Sequence, residues 1–176
     1  MDEKERTVRK AKPEDIPSIL DIVADAVRTM RASGNLRQWT DGYPSRETIA
    51  TDIRNGVGYL VTGSSGQADG YFAMIPSPEP TYAVIYGGEW LDDSLPYRVI
   101  HRIAGRAGTH GIFSAIMDYA FSVTDNVRID THADNAIMQH NILKHGFRFC
   151  GTILLANGDP RLAYQKLLGR NLEKTE

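Results

Sequence analysis

Apolar positions recur with two periods along this chain. Ile16, Ile19, Leu20, Val23, Val27 and Met30 return every three or four residues, which puts them on one face of an amphipathic helix. Asp15 is placed to cap that helix, Pro17 falls in its first turn and Gly34 marks its stop. Residues 6–12 (RTVRKAK) predict a short strand ahead of Pro13. Ser45, Thr48, Ile49 and Ile53 predict a second, shorter helix that ends at Asn55-Gly56. Between the helices, residues 35–44 (NLRQWTDGYP) read as a loop. Residues 58–62 (GYLVT) and 69–75 (DGYFAMI) are then two strands around an SSGQ turn. PSPEP at 76–80 interrupts the sheet, and 81–86 (TYAVIY) predicts a further short strand.

The second half alternates strand and helix. Residues 97–104 (YRVIHRIA) are a strand, 105–111 (GRAGTHG) a glycine-rich turn, and 112–122 a helix with Ile112, Ala115, Ile116, Tyr119 and Ala120 on one side. Residues 127–131 (VRIDT) are a strand. Residues 134–145 are a helix with Ile137, Met138, Asn141 and Ile142 facing inward and Gly146 just past its end. Two terminal strands, 147–155 and 161–167, flank a turn at Gly158-Asp159, and the tail GRNLEKTE is expected to fray.

Composition narrows the function classes. A chain of 176 residues is the size of one domain. Twenty basic against twenty-two acidic residues give a net charge of −2, without the basic excess of a nucleic-acid or anionic-membrane binder. The single cysteine, Cys150, excludes an internal disulfide framework and a multi-cysteine metal site. The histidines show no ligand spacing, so no metal is expected. No apolar run approaches the ~18 residues of a membrane span, and the charged start MDEKERTVRKAK is unlike a signal peptide. The expectation is one cytoplasmic domain with no nucleic-acid or membrane partner. Its oligomeric state is left open, a homodimer included.

A strand, a glycine-rich turn and a helix in succession make a generic anion site, because the helix start presents unpaired N–H groups and the positive end of its dipole. Residues 105–112 fit that description, and so would a plain structural turn. No Gly-Lys-Ser/Thr is present, so this is not a P-loop. Gly105, Gly108 and Gly111 are three apart, unlike the dinucleotide fingerprint G-x-G-x-x-G.

With the following segment added, residues 97–147 resemble the GNAT acetyltransferase superfamily. Its coenzyme loop reads Gln/Arg-x-x-Gly-x-Gly/Ala. Gly108-Thr109-His110-Gly111-Ile112-Phe113 matches it at Gly111-Ile112, lacks the leading basic or amide residue, and has Phe113 for the small final residue. On the next helix the family pattern is matched by Asn135, Lys144, Gly146 and Phe147. The resemblance implies a mixed α/β (α+β) domain, with its core at about residues 6–167. One mostly antiparallel sheet of six or seven strands would be splayed at its centre between 97–104 and 127–131, with helices on both faces. It implies acetyl-CoA as acyl donor and a small-molecule amine as acceptor. Coenzyme contacts would fall on Ile103, Gly105, Gly108, Thr109, His110, Gly111, Ile112 and Phe113, and on Asn135 and Lys144. Many members carry Tyr seven residues after the Asn, where it protonates the leaving thiolate; here that residue is Ile142.

His101, expected to share a strand face with Ile103, has the chemistry of a general base; a half-buried, hydrogen-bonded imidazole is the plain alternative. Glu89 is the second candidate base, acting through a water, or else an exposed loop carboxylate. Asp130 and His132 share a strand face, so that a carboxylate could orient an imidazole there, and Asp134 is the expected helix cap. Trp39 and Tyr43 in a polar loop, with Trp90, are candidate substrate-binding aromatics. Cys150 reads as a small core residue. The rival to catalysis is an acyl-CoA-binding pseudoenzyme or sensor, which Ile142 favours. A nucleotide-binding α/β domain is a more distant rival.

Overall fold

In the computed structural model, residues 5–169 are described; all of the tail but Gly169 lies outside them. The chain runs β1 (Thr7–Lys10), a 3-10 turn (Pro13–Asp15), α1 (Ile16–Ala32), α2 (Arg46–Arg54), β2 (Gly58–Thr62) and β3 (Ala68–Pro76). A second 3-10 turn (Pro80–Tyr82) is followed by β4 (Arg98–Gly105), α3 (Ile112–Val123), β5 (Asn126–Thr131), α4 (Ala136–Lys144), β6 (Arg148–Leu154) and β7 (Pro160–Leu167). The strands form one sheet in the order β1-β2-β3-β4-β5-β7-β6. Every neighbouring pair is antiparallel except β4 and β5. Those two are in register only at Arg98–Val127 and Val99–Arg128; beyond, they part, and the sheet is splayed at its centre.

Helices cover both faces. Ile19, Ile22, Val23 and Ala26 of α1 pack with Ile49 of α2 against Leu60, Tyr71 and Ala104. On the other face Ile112, Phe113, Ile116, Met117 and Ala120 of α3, with Ile142 of α4, pack against Phe72, Met74, Ile100, Val127 and Ile129. Local signals set the ends. Ser45 caps α2 by accepting from Thr48 N–H, and Gly146 takes the positive φ that ends α4.

Expectations change in three places. Residues 81–86 are not a strand. Pro80 starts a 3-10 turn that Glu79 caps by accepting from Thr81 N–H, and only Tyr86 reaches the sheet, through an isolated bridge to Thr152. This docking requires glycine at 88, since a Cβ there would overlap the Cys150 carbonyl oxygen. The cap of α4 is Asn135, not Asp134: its Oδ1 accepts from Met138 N–H at 3.0 Å. On the same helix Ile137 is 49% exposed rather than inward, and Ile142 carries the apolar contact.

The third change lies on β4. Tyr71 pairs with Ala104 but Ala73 pairs with His101, so Arg102 and Ile103 together oppose Phe72. This is a β-bulge, with Arg102 at φ 55°. Side-chain alternation restarts there. Ile103 packs toward the α3 layer, while His101 turns to the opposite face, so the two do not share one.

Candidate functional site

The bulge that separates His101 from Ile103 is held from below. Arg102 donates through Nε and Nη2 to buried Asp52, at 2.8 and 2.6 Å, and Tyr71 Oη donates to the same carboxylate at 2.6 Å. Burial, followed by Asp52, pushes the Tyr71 hydroxyl pKa up, so it stays a donor. An ion pair fixed at both nitrogens over-determines the left-handed backbone at Arg102.

Where β4 and β5 part, two openings of about 540 Å³ each meet. Ile103, Asn135, Met138 and Met30 border both. Their chemistry differs. The wall of the first, on the α1–α2 face, includes Asp41, Glu79, Asp130 and Asp159. The second runs along residues 105–114 and α4; Arg106, His110, Lys144 and His145 border it, and among the described residues no carboxylate does.

The second opening gathers groups that favour an anion. Gly108 and Gly111 have φ of 75° and 76°, a conformation that favours glycine. Gly111 is the N-cap residue of α3, whose twelve residues direct their first N–H groups at the groove. A Cβ at Gly108 would meet nothing within 4 Å, so backbone conformation, not crowding, demands glycine there. Thr109 is spent on the turn: its Oγ1 donates to the Arg106 carbonyl at 2.6 Å. Asp25 of α1 accepts the Ala107 N–H at 3.0 Å, and this bond holds its pKa low. His145 ties the two helices beneath the groove, with Nε2 2.9 Å from Ser114 Oγ and Nδ1 2.8 Å from the Asn141 carbonyl. All ten residues expected at the coenzyme, from Ile103 and Gly105 through Phe113 to Asn135 and Lys144, border this opening. Ile142 borders neither opening and is fully buried.

The first opening centres on His101. Its Nε2 is 3.6 Å from Glu79 Oε2 and its Nδ1 3.9 Å from Asp130 Oδ2. Tyr82 Oη donates to that same Asp130 oxygen at 2.6 Å, and burial raises the Tyr82 pKa well above its ordinary value. Glu79 is held down at about 2, first by the facing imidazole and then by the N–H and hydroxyl of Thr81. An imidazole between two carboxylates can take up a proton and have the resulting charge stabilised.

The loop at 35–44 closes this opening. Arg31 donates to the carbonyls of Asn35, Gln38 and Trp39 at 2.8 to 2.9 Å. Gln38 Oε1 accepts from Asn135 Nδ2 at 2.9 Å, and Arg37 holds Asp134 through two bonds. Trp39 and Tyr43 therefore stand in the wall, and Tyr43 Oη accepts from Arg102 at 3.1 Å.

Three of the expected residues are placed elsewhere. Glu89 is exposed on the β3–β4 connection and borders neither opening; Glu79, ten residues earlier on the same connection, faces His101 instead. Trp90 is core. Its Nε1 donates to the Tyr82 carbonyl, and its ring lies 4.0 Å from the guanidinium carbon of buried Arg128, which Tyr97 covers from the other side at 4.0 Å. His132 turns from Asp130: its Nδ1 accepts the Asp134 N–H at 2.9 Å, and burial, then Arg161, lower its pKa. Cys150 is buried, as expected, and burial raises its thiol pKa. Among the described residues no cluster of three His, Cys, Asp or Glu suited to a metal occurs.

Glu79, Tyr82 and Arg161 were not legible as site residues. Their one signal was a lone ionisable group inside or beside a turn segment.

No family model and no curated protein sequence matches the chain. Solved structures do. The chain is similar to a GNAT-family acetyltransferase from Streptococcus agalactiae 2603, at 34% identity and a TM-score of 0.84, over 94% of this chain and 96% of that one. GNAT-family acetyltransferases from Listeria monocytogenes 4b F2365 (24% identity, TM-score 0.69, 94% and 96% covered) and Bacillus cereus ATCC 10987 (19%, 0.60, 94% and 99%) share the fold.

Proposed function

The chain belongs to the GNAT family of acetyltransferases, and from that premise we propose that it moves the acetyl group of acetyl-CoA onto the amine of a small-molecule acceptor by direct attack. The observation that carries this reading is the contrast between the two openings. One is bordered by cations and helix N–H groups and, among the described residues, by no carboxylate; the other centres on His101 between Glu79 and Asp130. They meet at Ile103 and Met138, where a thioester and an amine would come together.

In this mechanism the N–H groups at the start of α3, with Arg106 and Lys144, bind the coenzyme diphosphate. Acetyl-CoA supplies the thioester. His101 takes a proton from the acceptor ammonium, and Glu79 and Asp130 stabilise the imidazolium. The freed nitrogen bonds to the acetyl carbon, the carbon–sulfur bond breaks with its electron pair leaving on sulfur as thiolate, and the second nitrogen proton passes to solvent as the neutral amide forms. A backbone N–H at the Arg102–Ile103 bulge polarises the carbonyl. Trp39 and Tyr43 hold the acceptor.

Ile142 supports a second reading, a coenzyme-binding protein without turnover, because this side chain has no proton to give the thiolate. Two measurements decide. Acetyl-CoA should raise the melting temperature; no shift at saturation would remove coenzyme binding. Free CoA should be released with at least one member of a panel of amines; binding without release would leave the second reading standing.

A further inference from the structure

Three arginines stand in the wall of the His101 opening, and two are already neutralised. Arg37 holds Asp134 through Nε and Nη2, and Arg102 holds Asp52 in the same manner. Arg161, at the start of β7, is half-buried and forms no ion pair among the described residues. Its Nη1 donates to the Pro160 carbonyl at 2.9 Å. Asp159, the acid next to it in the wall, is engaged with Asn157 at 3.1 Å. A guanidinium that is partly desolvated and lacks an anion is poised to take one, and its planar fork suits a carboxylate.

Register shows where that anion would sit. Asp130 of β5 pairs with Ala163 of β7. Arg161 is two residues from Ala163 on the same strand, so it shares the sheet face of Asp130. Strand spacing and rise place the two α-carbons about 8 Å apart. The opening is therefore polarised: Glu79 and Asp130 attract an ammonium at His101, and Arg161 offers a cation one strand across.

We propose that Arg161 binds a carboxylate of the acceptor, so that the substrate is a primary amine that also carries a carboxylate, as an amino acid does. This rests on the acetyl-transfer reading and gives its acceptor a class. The ammonium end meets Glu79 and Asp130, the carboxylate end meets Arg161, and Trp39 flanks the body of the molecule.

The test is CoA release from acetyl-CoA by matched sets of amines: amino acids, their carboxamides, the decarboxylated amines and phosphate-bearing amines. The amino acids should be preferred. Arg161→Gln should raise their KM by about 10- to 100-fold with little change in kcat, the usual range for losing a hydrogen bond to a charged group, and leave the carboxamides unaffected. Arg161→Lys should fall between. Equal use of acids and amides, a preference for phosphate-bearing or uncharged amines, or an equal loss on all substrates in Arg161→Gln would overturn the proposal. If no amine turns over, calorimetric titration of the amino acids into CoA-saturated protein reads the same contrast. Binding lost in Arg161→Gln supports it, and absence of binding overturns it. A melting temperature unmoved by acetyl-CoA would remove the acetyl-transfer reading and this proposal together. A normal coenzyme shift with no acid–amide contrast would remove this proposal alone.

Discussion

Glu79 Oε2 lies 3.6 Å from His101 Nε2, and the facing imidazole is the largest influence holding the Glu79 carboxyl at about 2, below its ordinary value of 4.5. A carboxylate whose pKa is depressed by folding stabilises the folded state at pH above its unfolded value, and loses that contribution as pH falls through the folded one. The window here runs from about 4.5 down to about 2. Glu79→Gln should therefore melt at lower temperature than wild type at a pH just above that window, and the gap should close as pH falls through it. Melting curves at stepped pH check this; a gap independent of pH would mean that the Glu79 charge does not stabilise the fold.

The same pair predicts a rate profile. If His101 is the base, the rate on an accepted amine rises with pH as imidazole and amine lose their protons. His101→Ala should lower the rate by about 10²–10⁴-fold, the span of general-base catalysis, and flatten or shift the rising limb. An unchanged limb would clear His101 of the role and leave the limb to the acceptor amine's own deprotonation. Glu89 is exposed and no longer competes for it.

How much of this was legible in sequence follows from how local each signal is. The period of α1, the short helix after Ser45 and the strand–turn–helix at 98–123 depend on neighbours within a few residues, and all appear where expected. The residues expected at the coenzyme lie on two successive strand–helix units and border one opening, so their grouping could be seen too. The acid beside His101 could not. Glu79 sits among prolines and reaches the site because the connection from 77 to 97 folds over β4, bringing Glu79 to His101 from twenty-two positions earlier. The Arg102–Asp52 pair, which fixes the bulge, joins residues fifty apart. Trp90 looked like a site aromatic for the same reason. Nothing local shows that a buried arginine, Arg128, lies against its ring.

Trp39 and Trp90 should accordingly respond in opposite ways. Trp39→Ala should raise the acceptor KM and leave acetyl-CoA binding unchanged, because the ring borders only the His101 opening. Trp90→Ala should cost about 3–5 kcal/mol of stability, as buried aromatic deletions do, because it also uncovers Arg128. Steady-state kinetics beside chemical denaturation separates the two. A large stability loss in Trp39→Ala with unchanged kinetics would place that ring in the core.

Gly111 tests the coenzyme groove. Its φ of 76° makes any side chain costly by about 1–2 kcal/mol. A Cβ has space, with the nearest atom at 3.7 Å. Gly111→Glu should therefore fold, with reduced stability, and place a carboxylate where the diphosphate is expected. The acetyl-CoA-induced rise in melting temperature should vanish. A retained shift would move the diphosphate site elsewhere.

Ile142 bears on how the thiolate leaves. The position where the family resemblance implies a tyrosine, seven after Asn135, is here fully buried, in the core cluster that includes Phe113, Ile116 and Val127. A tyrosine there would have to enlarge a filled core and would bury a hydroxyl, and overpacking alone costs about 1–3 kcal/mol. Ile142→Tyr should therefore lower stability by at least that amount without raising the rate. The leaving sulfur then departs unassisted or takes its proton from solvent, so the rate of Ile142→Val should match wild type while its stability falls by about 0.5–1.5 kcal/mol. Denaturation and steady-state rates on one accepted amine check both variants. A faster Ile142→Tyr with wild-type stability would show that residue 142 can reach the leaving sulfur, and that its missing proton limits the native enzyme.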